Sequence, residues 1–238
     1  MVIACLPATL EGVELRRQGH TILGPIDWTL DGRGITVLMG PNGAGKTSFL
    51  RVLHGLERVS RGTLTWKPGW DVARRAQAFV FQTPILMRRS IVDCIAYPLR
   101  LDGVARREAR VQATAAAARV GLEGALDRPA EVLSGGEKQK MALARALIRS
   151  PEVLFLDEPC ANLDGASTKA IEDILRAARD SGTRIVMSTH DIGEARRLAD
   201  DVVFLNKGKI LDAMPAAEFF AGGASPEATA HLKGELLT

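Results

Sequence analysis

Apolar and polar residues alternate along the first part of the chain, with the period of two that half-buried β-strands show. Residues 26–30 alternate in this way, and Val13 and Leu15 suggest an earlier strand, with residues 18–20 as the turn between them. Such alternation predicts antiparallel strands with one face against the core. Residues 35–39 are instead apolar without alternation, which predicts a central strand covered on both faces.

Beyond residue 84 the pattern becomes helical and then switches between helices and short buried strands. Residues 106–120 carry neither Gly nor Pro and are rich in Ala and Arg, a composition that favours a helix. Ser134 and Glu137 have the spacing of a capping box, which predicts another helix start. The helix that starts there is expected to continue through the apolar residues 141–148. Strands that alternate with helices indicate an α/β fold with a mostly parallel sheet. Further strands are predicted at 63–66, 78–81, 153–156, 184–188, 202–205 and 210–211, and further helices at 49–56, 164–179 and after Asp191.

The composition is that of a globular protein with a sizeable core. Hydrophobic residues make up 46% of the 238 residues, which is enough for one α/β domain. We expect a single domain over residues 1–238, with an antiparallel β subdomain at the N-terminus and a helical subdomain inserted at approximately residues 84–150. No run of about 18 apolar residues is present, so no segment is expected to span a membrane.

Charge and cysteine content narrow the class of protein further. The 31 basic and 28 acidic residues leave a net charge of +3 without a basic cluster among aromatic residues, so we expect no nucleic-acid partner. Cys5, Cys94 and Cys160 form no CxxC pair, and reduced thiols in a cytosolic protein are the simplest account. Residues 1–7 lack the basic head and apolar core of an export signal, so we expect an intracellular protein.

A glycine-rich loop follows the first buried strand and precedes a helix. Its glycines allow successive backbone N–H groups to point at an anion, and the helix dipole adds to the same point. Lys46 would reach the β- and γ-phosphates of a nucleotide, and the Thr47 hydroxyl would bind Mg²⁺. The alternative is a glycine-rich turn that happens to precede Lys-Thr. The phosphate-cradling pattern G-x-x-x-x-G-K-[ST] is matched by Gly40, Pro41, Asn42, Gly43, Ala44, Gly45, Lys46, Thr47 and Ser48.

Two consecutive carboxylates follow another buried strand. Asp157 comes after four apolar residues, the pattern of a Walker B carboxylate that binds Mg²⁺ from the second side of the phosphates. Glu158 can orient or deprotonate an attacking water. Taken alone, Asp157 could cap a turn, and Glu158 could be an exposed acidic residue before Pro159. No signature of a second substrate pocket is present, so hydrolysis is favoured over group transfer.

Four polar residues lie at or just past the ends of predicted strands: Thr47, Gln82, Asp157 and His190. The carboxyl ends of parallel strands meet at one edge of a sheet, where ligands bind. We therefore expect these four side chains to belong to one site.

A second helix start also has the features of an anion site. Ser134, Gly135 and Gly136 combine small side chains, free backbone N–H groups and a helix dipole. With this motif in place, the chain resembles the ATPase subunits of ABC transporters over essentially its whole length. The resemblance rests on residues 40–48, 133–140, 153–159, 161–164 and 189–190, which match the motifs of that family in order and spacing.

The resemblance implies a P-loop NTPase fold, with ATP and Mg²⁺ as cofactors. It also implies a head-to-tail dimer, in which each ATP lies between the phosphate loop of one copy and Ser134, Gly135 and Gly136 of the other. Further implied partners are transmembrane permease subunits and, indirectly, a periplasmic or extracellular solute-binding protein. The chain would then be a peripheral subunit at the cytoplasmic face of the cell membrane.

Individual roles follow from the same resemblance. Glu158 resembles the catalytic base, and His190 resembles the switch histidine that contacts the γ-phosphate. Gln82 resembles the residue that touches Mg²⁺ and the attacking water and senses the membrane partner. Asp164 resembles the loop residue that couples the two sites across the dimer.

The chain departs from the family pattern at several positions. Glu137 and Lys140 stand where the family usually has Gln and Arg, and Cys160 stands where it has Thr or Ser. A negative Glu137 near a triphosphate is mildly unfavourable unless its capping role holds it away. The aromatic residue that stacks on adenine should fall near Arg17 or Gln18, and the Arg17 guanidinium could lie over the base. We therefore expect GTP to compete with ATP.

Four short stretches carry a more specific resemblance: residues 53–56, 87–91, 96–100 and 219–220. They are similar to tungstate-type importer ATPases of prokaryotes, which stand close to phosphate importers. We therefore expect an ATPase that energises an importer of an inorganic oxyanion such as tungstate. The alternatives are another solute (molybdate, phosphate or an amino acid), an exporter, or a soluble ABC ATPase that acts on nucleic acid or ribosomes. No residue of such a subunit touches the transported solute.

Overall fold

The structure is a computed structural model that describes residues 5–235. Residues 1–4 and 236–238 lie outside the described part. The expectation that residues 1–7 are not an export signal therefore falls mostly on residues outside it. Within residues 5–235, nine strands form two sheets flanked by helices. The strands are β1 (Ala8–Arg17), β2 (His20–Leu30), β3 (Ile35–Met39), β4 (Arg61–Trp66), β5 (Gln77–Val80), β6 (Val153–Asp157), β7 (Arg184–Ser188), β8 (Asp201–Asn206) and β9 (Lys209–Pro215). The helices are α1 (Lys46–His54), α2 (Trp70–Arg75), α3 (Ile91–Leu101), α4 (Arg106–Arg119), α5 (Gly135–Leu147), α6 (Gly165–Asp180), α7 (Ile192–Leu198), α8 (Ala216–Glu218) and α9 (Pro226–Leu232).

A six-stranded, mostly parallel sheet forms the centre of the fold, as the alternation of strands and helices predicted. Its strand order is β5-β6-β7-β3-β8-β9, and β9 pairs antiparallel with β8. Every residue of β3, β6 and β7 is buried. Their nearly continuous apolar sequences suit strands that are covered on both faces.

The register of this sheet aligns the ends of three neighbouring strands. Asp157, the last residue of β6, lies opposite Ser188, the last residue of β7, and Ser188 lies opposite Leu38 of β3. The loop that follows β3 therefore begins beside the carboxylates that follow β6. This edge is where open parallel sheets bind ligands.

The N-terminal strands form a separate antiparallel sheet, also as predicted. Its order is β2-β1-β4. Leu23 of β2 and Trp66 of β4 are buried in the same apolar cluster as Phe49 and Leu53 of α1. Phe155 of β6 belongs to this cluster too, so α1 contributes to a core shared by the two sheets.

Helices α3, α4 and α5 share an apolar core of their own. It contains Ile95 of α3, Ala113 of α4 and Met141 of α5. The buried residues of α4 are all alanines, whereas Arg106, Arg107 and Arg119 are exposed, so the outer side of the helix is charged. No helix within residues 5–235 combines the length and apolar character needed to cross a membrane.

The structure differs from the expected helix boundaries in three places. α1 begins three residues earlier than predicted and ends at His54, because Gly55 adopts a left-handed conformation with φ of 81°. α2 was not predicted, since Ala73 is its one buried residue and the helix carries no apolar stripe. Residues 215–238 carry only weak helical character in the sequence, yet residues 226–232 form α9.

Candidate functional site

The phosphate loop, residues 40–45, needs glycine for steric reasons. A Cβ atom on Gly40 would lie 2.0 Å from the carbonyl oxygen of Leu205, and φ of Gly40 is 138°. Gly45 immediately precedes α1 with φ of 103°, and no side chain caps the helix there. The first-turn N–H groups of α1 have no acceptor within the helix, so they remain free for an anion.

Lys46 lies inside this loop rather than in solvent. Its side chain is 7% exposed, and its Nζ donates to the carbonyl oxygens of Gly40 at 2.8 Å and Pro41 at 3.1 Å. Burial lowers the pKa of Lys46 below its ordinary value, while the charges of Glu158 and Asp157 act in the opposite direction. The ammonium group is therefore held between the phosphate loop and the two carboxylates.

The side chains of Thr47 and Asp157 meet at the end of the sheet. Thr47 Oγ1 donates to Asp157 Oδ1 at 2.9 Å. Both groups offer oxygen, the donor that Mg²⁺ prefers. Among the described residues no group of three or more His, Cys, Asp or Glu side chains forms a metal cluster. Thr47 and Asp157 could supply two oxygen ligands to such an ion.

Ser188 joins this cluster, and the sequence analysis missed it. Its Oγ donates to Asp157 Oδ1 at 2.8 Å and accepts from the backbone N–H of Glu158 at 3.0 Å. The available signal was its position, since it ends a buried strand directly before Thr189-His190. Only the register of β6 against β7 places it beside Asp157.

Two of the predicted residues converge on one carboxylate oxygen of a third, Glu158. Gln82 Nε2 donates to Glu158 Oε2 at 3.1 Å, and His190 Nδ1 lies 3.2 Å from the same oxygen. Glu158 has a left-handed backbone with φ of 45°, an unusual conformation for a residue with a side chain. The His190 side chain is 59% exposed, so the cluster opens to solvent, where a substrate can enter.

The second helix start is capped by its own side chains. Glu137 N donates to Ser134 Oγ at 3.3 Å, and Ser134 N donates to a Glu137 carboxylate oxygen at 2.8 Å, which completes the predicted capping box. These hydrogen bonds with Ser134 hold the pKa of Glu137 below its ordinary value. The carboxylate is thus turned back onto its own helix start.

The start of α5 lies against the start of α6. A Cβ atom on Gly136 would be 2.9 Å from Cβ of Ser167. Asp164 caps α6 by accepting from Ser167 N at 2.7 Å, and this hydrogen bond is the main cause of the lowered pKa of Asp164. Within residues 5–235, no hydrogen bond or ion pair joins Ser134, Gly135 or Asp164 to the phosphate loop.

Comparison with known proteins identifies the class to which this site belongs. Residues 23–161, more than half of the chain, match the ABC transporter family. The chain belongs to this family. Membership of this family implies ATPase activity, so the chain is an ABC ATPase that binds ATP.

Two relatives and one solved structure resemble this ABC ATPase over most of its length. The tungstate uptake system ATP-binding protein TupC of Peptoclostridium acidaminophilum is 36% identical over 207 residues, which cover 86% of this chain and 97% of that protein. The nickel import ATP-binding protein NikO of Rhodobacter capsulatus is 41% identical over 230 residues, covering 89% and 90%. The structure of cbiO1 from Clostridium perfringens, part of the ABC transporter complex cbiONQ, has a TM-score of 0.81 at 25% identity and covers 95% of this chain and 94% of its own.

The position expected to contact the adenine base is occupied by an ion pair in this ABC ATPase. The Arg17 guanidinium donates to the Glu57 carboxylate, which Arg51 also approaches to 3.6 Å. Gln18 occupies the β1–β2 turn in a left-handed conformation with φ of 48°. Stacking of the Arg17 guanidinium on a base must therefore either accommodate its ion pair with Glu57 or break it.

Proposed function

We propose that this ABC ATPase is the ATP-hydrolysing subunit that energises a membrane importer. The observation that carries the proposal is the convergence of Gln82 and His190 on Glu158, beside the Thr47–Asp157 pair and the phosphate loop. A carboxylate in that position can accept a proton from the attacking water. The adjoining oxygen donors suit a metal ion that neutralises phosphate charge.

Each residue of the site then has a defined part in hydrolysis. Lys46 leaves the carbonyls of Gly40 and Pro41 to donate to the β- and γ-phosphates, and Thr47, Gln82 and Asp157 would hold Mg²⁺. When bound, Mg²⁺ supplies positive charge to the phosphate oxygens. Glu158 takes the proton from water, and His190 contacts the γ-phosphate. The backbone N–H groups that cradle the phosphates come from the loop formed by Gly40, Pro41, Asn42, Gly43, Ala44, Gly45, Lys46, Thr47 and Ser48.

The missing wall of the site comes from a second copy of the chain in a head-to-tail dimer. In support, Ser134 and Gly135 are exposed, and the N–H groups of Gly135 and Gly136 have no helical acceptor. A triphosphate held by another copy supplies such an acceptor. Asp164, which caps the neighbouring helix, couples the two sites across this interface.

The membrane partners are proposed to be transmembrane permease subunits, with a solute-binding protein acting on them from outside. A groove of about 460 Å³ lies between the segment after β5 and helices α3 and α5. Ile85 in this groove is 59% exposed, and Tyr97, Pro98 and Arg145 line it. An apolar helix end from a permease would bury Ile85. This docking places the chain at the cytoplasmic face of the membrane.

The domain organisation proposed here is one ABC ATPase domain over residues 1–238, in which residues 84–150 move as a helical subdomain. The separate core of α3, α4 and α5 supports this division. Gln82 precedes the subdomain and contacts Glu158, so it can report movement of the subdomain to the catalytic carboxylate.

The solute is proposed to be an inorganic oxyanion such as tungstate. The relative named for tungstate uptake supports this choice, whereas the relative named for nickel import is the more identical of the two. Nickel and other solutes therefore remain alternatives. A soluble ABC ATPase that acts on nucleic acid or ribosomes is the alternative from a different class.

Reconstitution tests the proposal. The chain is combined with its candidate permease and solute-binding protein in vesicles, and ATP hydrolysis is measured with tungstate, molybdate, phosphate, sulfate and Ni²⁺. We expect stimulation by tungstate and none in the matched Glu158→Gln complex. Stimulation by Ni²⁺ alone would overturn the proposed solute but support the proposed role in an importer. Stimulation by DNA or ribosomes, with none by the membrane complex, would overturn the importer itself.

A further inference from the structure

A buried carboxylate without a part in the mechanism above lies behind the His190 loop. Glu194, the third residue of α7, is 2% exposed. Its Oε2 accepts a hydrogen bond of 2.5 Å from the hydroxyl of Thr189, which is itself 3% exposed. The Thr189 hydroxyl in turn accepts from the backbone N–H of Asp191 at 3.0 Å. This buried pair therefore holds the backbone on both sides of His190.

The last residue of β7 and the two residues that follow it contact different partners. Ser188 bonds to Asp157 and to the N–H of Glu158, and His190 lies against the Glu158 carboxylate. Thr189, between them, points to Glu194. The site residues on either side therefore depend on a residue that faces away from the substrate.

His190 has little else to fix its position. Its side chain is 59% exposed, and its hydrogen-bond contact within residues 5–235 is with Glu158 at 3.2 Å. An exposed imidazole with one contact takes its place from the backbone that carries it. That backbone is held at Thr189, through the hydroxyl and through an N–H bond to Leu38 O at 3.3 Å.

We propose that Glu194 is a positioning residue for His190 and acts through the Thr189 hydroxyl. The proposal rests on the role given to His190 in the proposed function. It assigns a part in hydrolysis to a side chain that touches neither nucleotide nor metal. Misplacement of a reacting group by about 1 Å costs about 100-fold in rate, so a single buried hydrogen bond in this position has a measurable effect.

The surroundings of Glu194 support a positioning role over a packing role. Burial raises the pKa of Glu194, with smaller contributions from the negative charges of Glu172 and Asp191, and a polar side chain buried in this way is retained only where it is hydrogen-bonded, as Glu194 is to Thr189. Glu194 also raises the pKa of Cys160, second to burial, so it lies close to the loop that follows Glu158. Glu194 thus interacts with Thr189 before His190 and with Cys160 in the loop after Glu158.

An ion pair on the same helix, which makes no contact with Thr189, provides a control. Arg197 of α7 donates to Glu172 of α6 at 2.8 Å and does not contact Thr189. Arg197→Gln therefore loosens α7 against α6 while it leaves the Glu194–Thr189 hydrogen bond in place. Glu194→Gln keeps an acceptor oxygen, whereas Glu194→Met keeps the volume and removes the acceptor.

The test is steady-state ATP hydrolysis by the full chain and these variants. Glu194→Met and Thr189→Val should each lower kcat tenfold or more, with KM for ATP within threefold of wild type. Glu194→Gln, Thr189→Ser and Arg197→Gln should stay within threefold in kcat. If Glu194→Met does not fold, the near-isosteric pair Thr189→Val and Thr189→Ser carries the test.

A double-mutant cycle with His190 separates positioning from general damage. If Glu194 acts through His190, then adding Glu194→Met to His190→Ala lowers kcat by no more than a further threefold. Additive losses, an equal loss in Arg197→Gln, or full activity in Thr189→Val would overturn the proposal. If His190→Ala itself keeps wild-type kcat, the assigned role of His190 fails and the inference falls with it. If His190→Ala is impaired and the Glu194 and Thr189 variants are not, only the inference fails.

Discussion

The starts of α1 and α5 are two helix N-termini of the same chain that differ in how their N–H groups are satisfied. Gly45 precedes α1 with a left-handed backbone and no capping side chain, so its first turn is open to an anion. Ser134 precedes α5 in an extended conformation, and the capping box with Glu137 occupies two N–H groups of its first turn. All first-turn N–H groups are therefore open at the N-terminus of α1, whereas only some of them are open at the N-terminus of α5.

The two starts also differ in what surrounds them. α1 begins among buried groups, with Lys46 at 7% exposure and the Asp157 carboxylate bonded to Thr47. α5 begins at the surface, with Ser134 and Gly135 exposed. The first start lies where a single copy supplies the Lys46 ammonium and the Asp157 carboxylate itself. The second has two free N–H groups and needs a phosphate from elsewhere. The comparison predicts that one copy binds ATP and that two copies hydrolyse it.

The largest effect is expected where hydrolysis is removed and both starts remain. Glu158→Gln should lower kcat by about 10²- to 10⁴-fold because it removes the acceptor for the water proton. Binding of ATP should persist and hold two copies together, which sedimentation with ATP and Mg²⁺ measures. The double variant with Lys46→Ala should remain monomeric. A monomeric Glu158→Gln variant at saturating ATP would remove the role given to the α5 start.

Binding of ATP to the single chain separates the two starts directly. Lys46→Ala should weaken the affinity of the monomer for ATP about 100-fold, because charge-assisted hydrogen bonds to the phosphates are lost. Ser134→Ala should leave this affinity within about twofold, although loss of the cap costs about 1 kcal/mol of stability. Titration calorimetry at monomeric concentrations measures both. Equal losses in the two variants would show that the α5 start already belongs to the site of its own copy.

The contact between α5 and α6 gives a smaller effect on stability. Gly136→Ala should lower the free energy of unfolding by about 1–2 kcal/mol, because the added Cβ would lie 2.9 Å from Ser167 Cβ. Gly135→Ala is the matched control, since its Cβ would meet Leu163 at 3.7 Å, an ordinary contact. Urea unfolding measures the difference. Equal stability of the two variants would mean that the helix starts separate at little cost.

The smallest effect is expected at Glu137, where this chain departs from its family. Glu137→Gln should keep or raise ATPase activity, since Gln also completes a capping box and carries no charge near the triphosphate. A loss above tenfold would contradict this. The hydrogen bonds from Ser134 stabilise the ionised Glu137 carboxylate in the folded protein and so lower its pKa. The wild type should therefore lose this contribution to the free energy of unfolding as the pH falls below the ordinary value of 4.5. The variant should lack that component in unfolding measurements at low pH.

Sequence patterns were sufficient wherever the cause of the structure is local. The glycines of the phosphate loop, the Ser134–Glu137 capping box and the buried runs of β3, β6 and β7 each depend on residues within a few positions of one another. Local rules failed for α2, which buries little, and at the start of α1, where the helix takes in Lys46 directly after the glycine loop.

The sequence by itself therefore determined the fold class, the phosphate loop and the residue types available for hydrolysis. Only the tertiary structure decided which distant side chains meet. Thr47 contacts Asp157 across 110 positions, and Ser188 reaches Asp157 because β6 and β7 pair in one register. The same holds for the ion pair of Arg17 with Glu57. Positions at strand ends placed Thr47 and Asp157 in one site, but the atoms that meet depend on strand order and register, which arise from burial summed over the whole sheet.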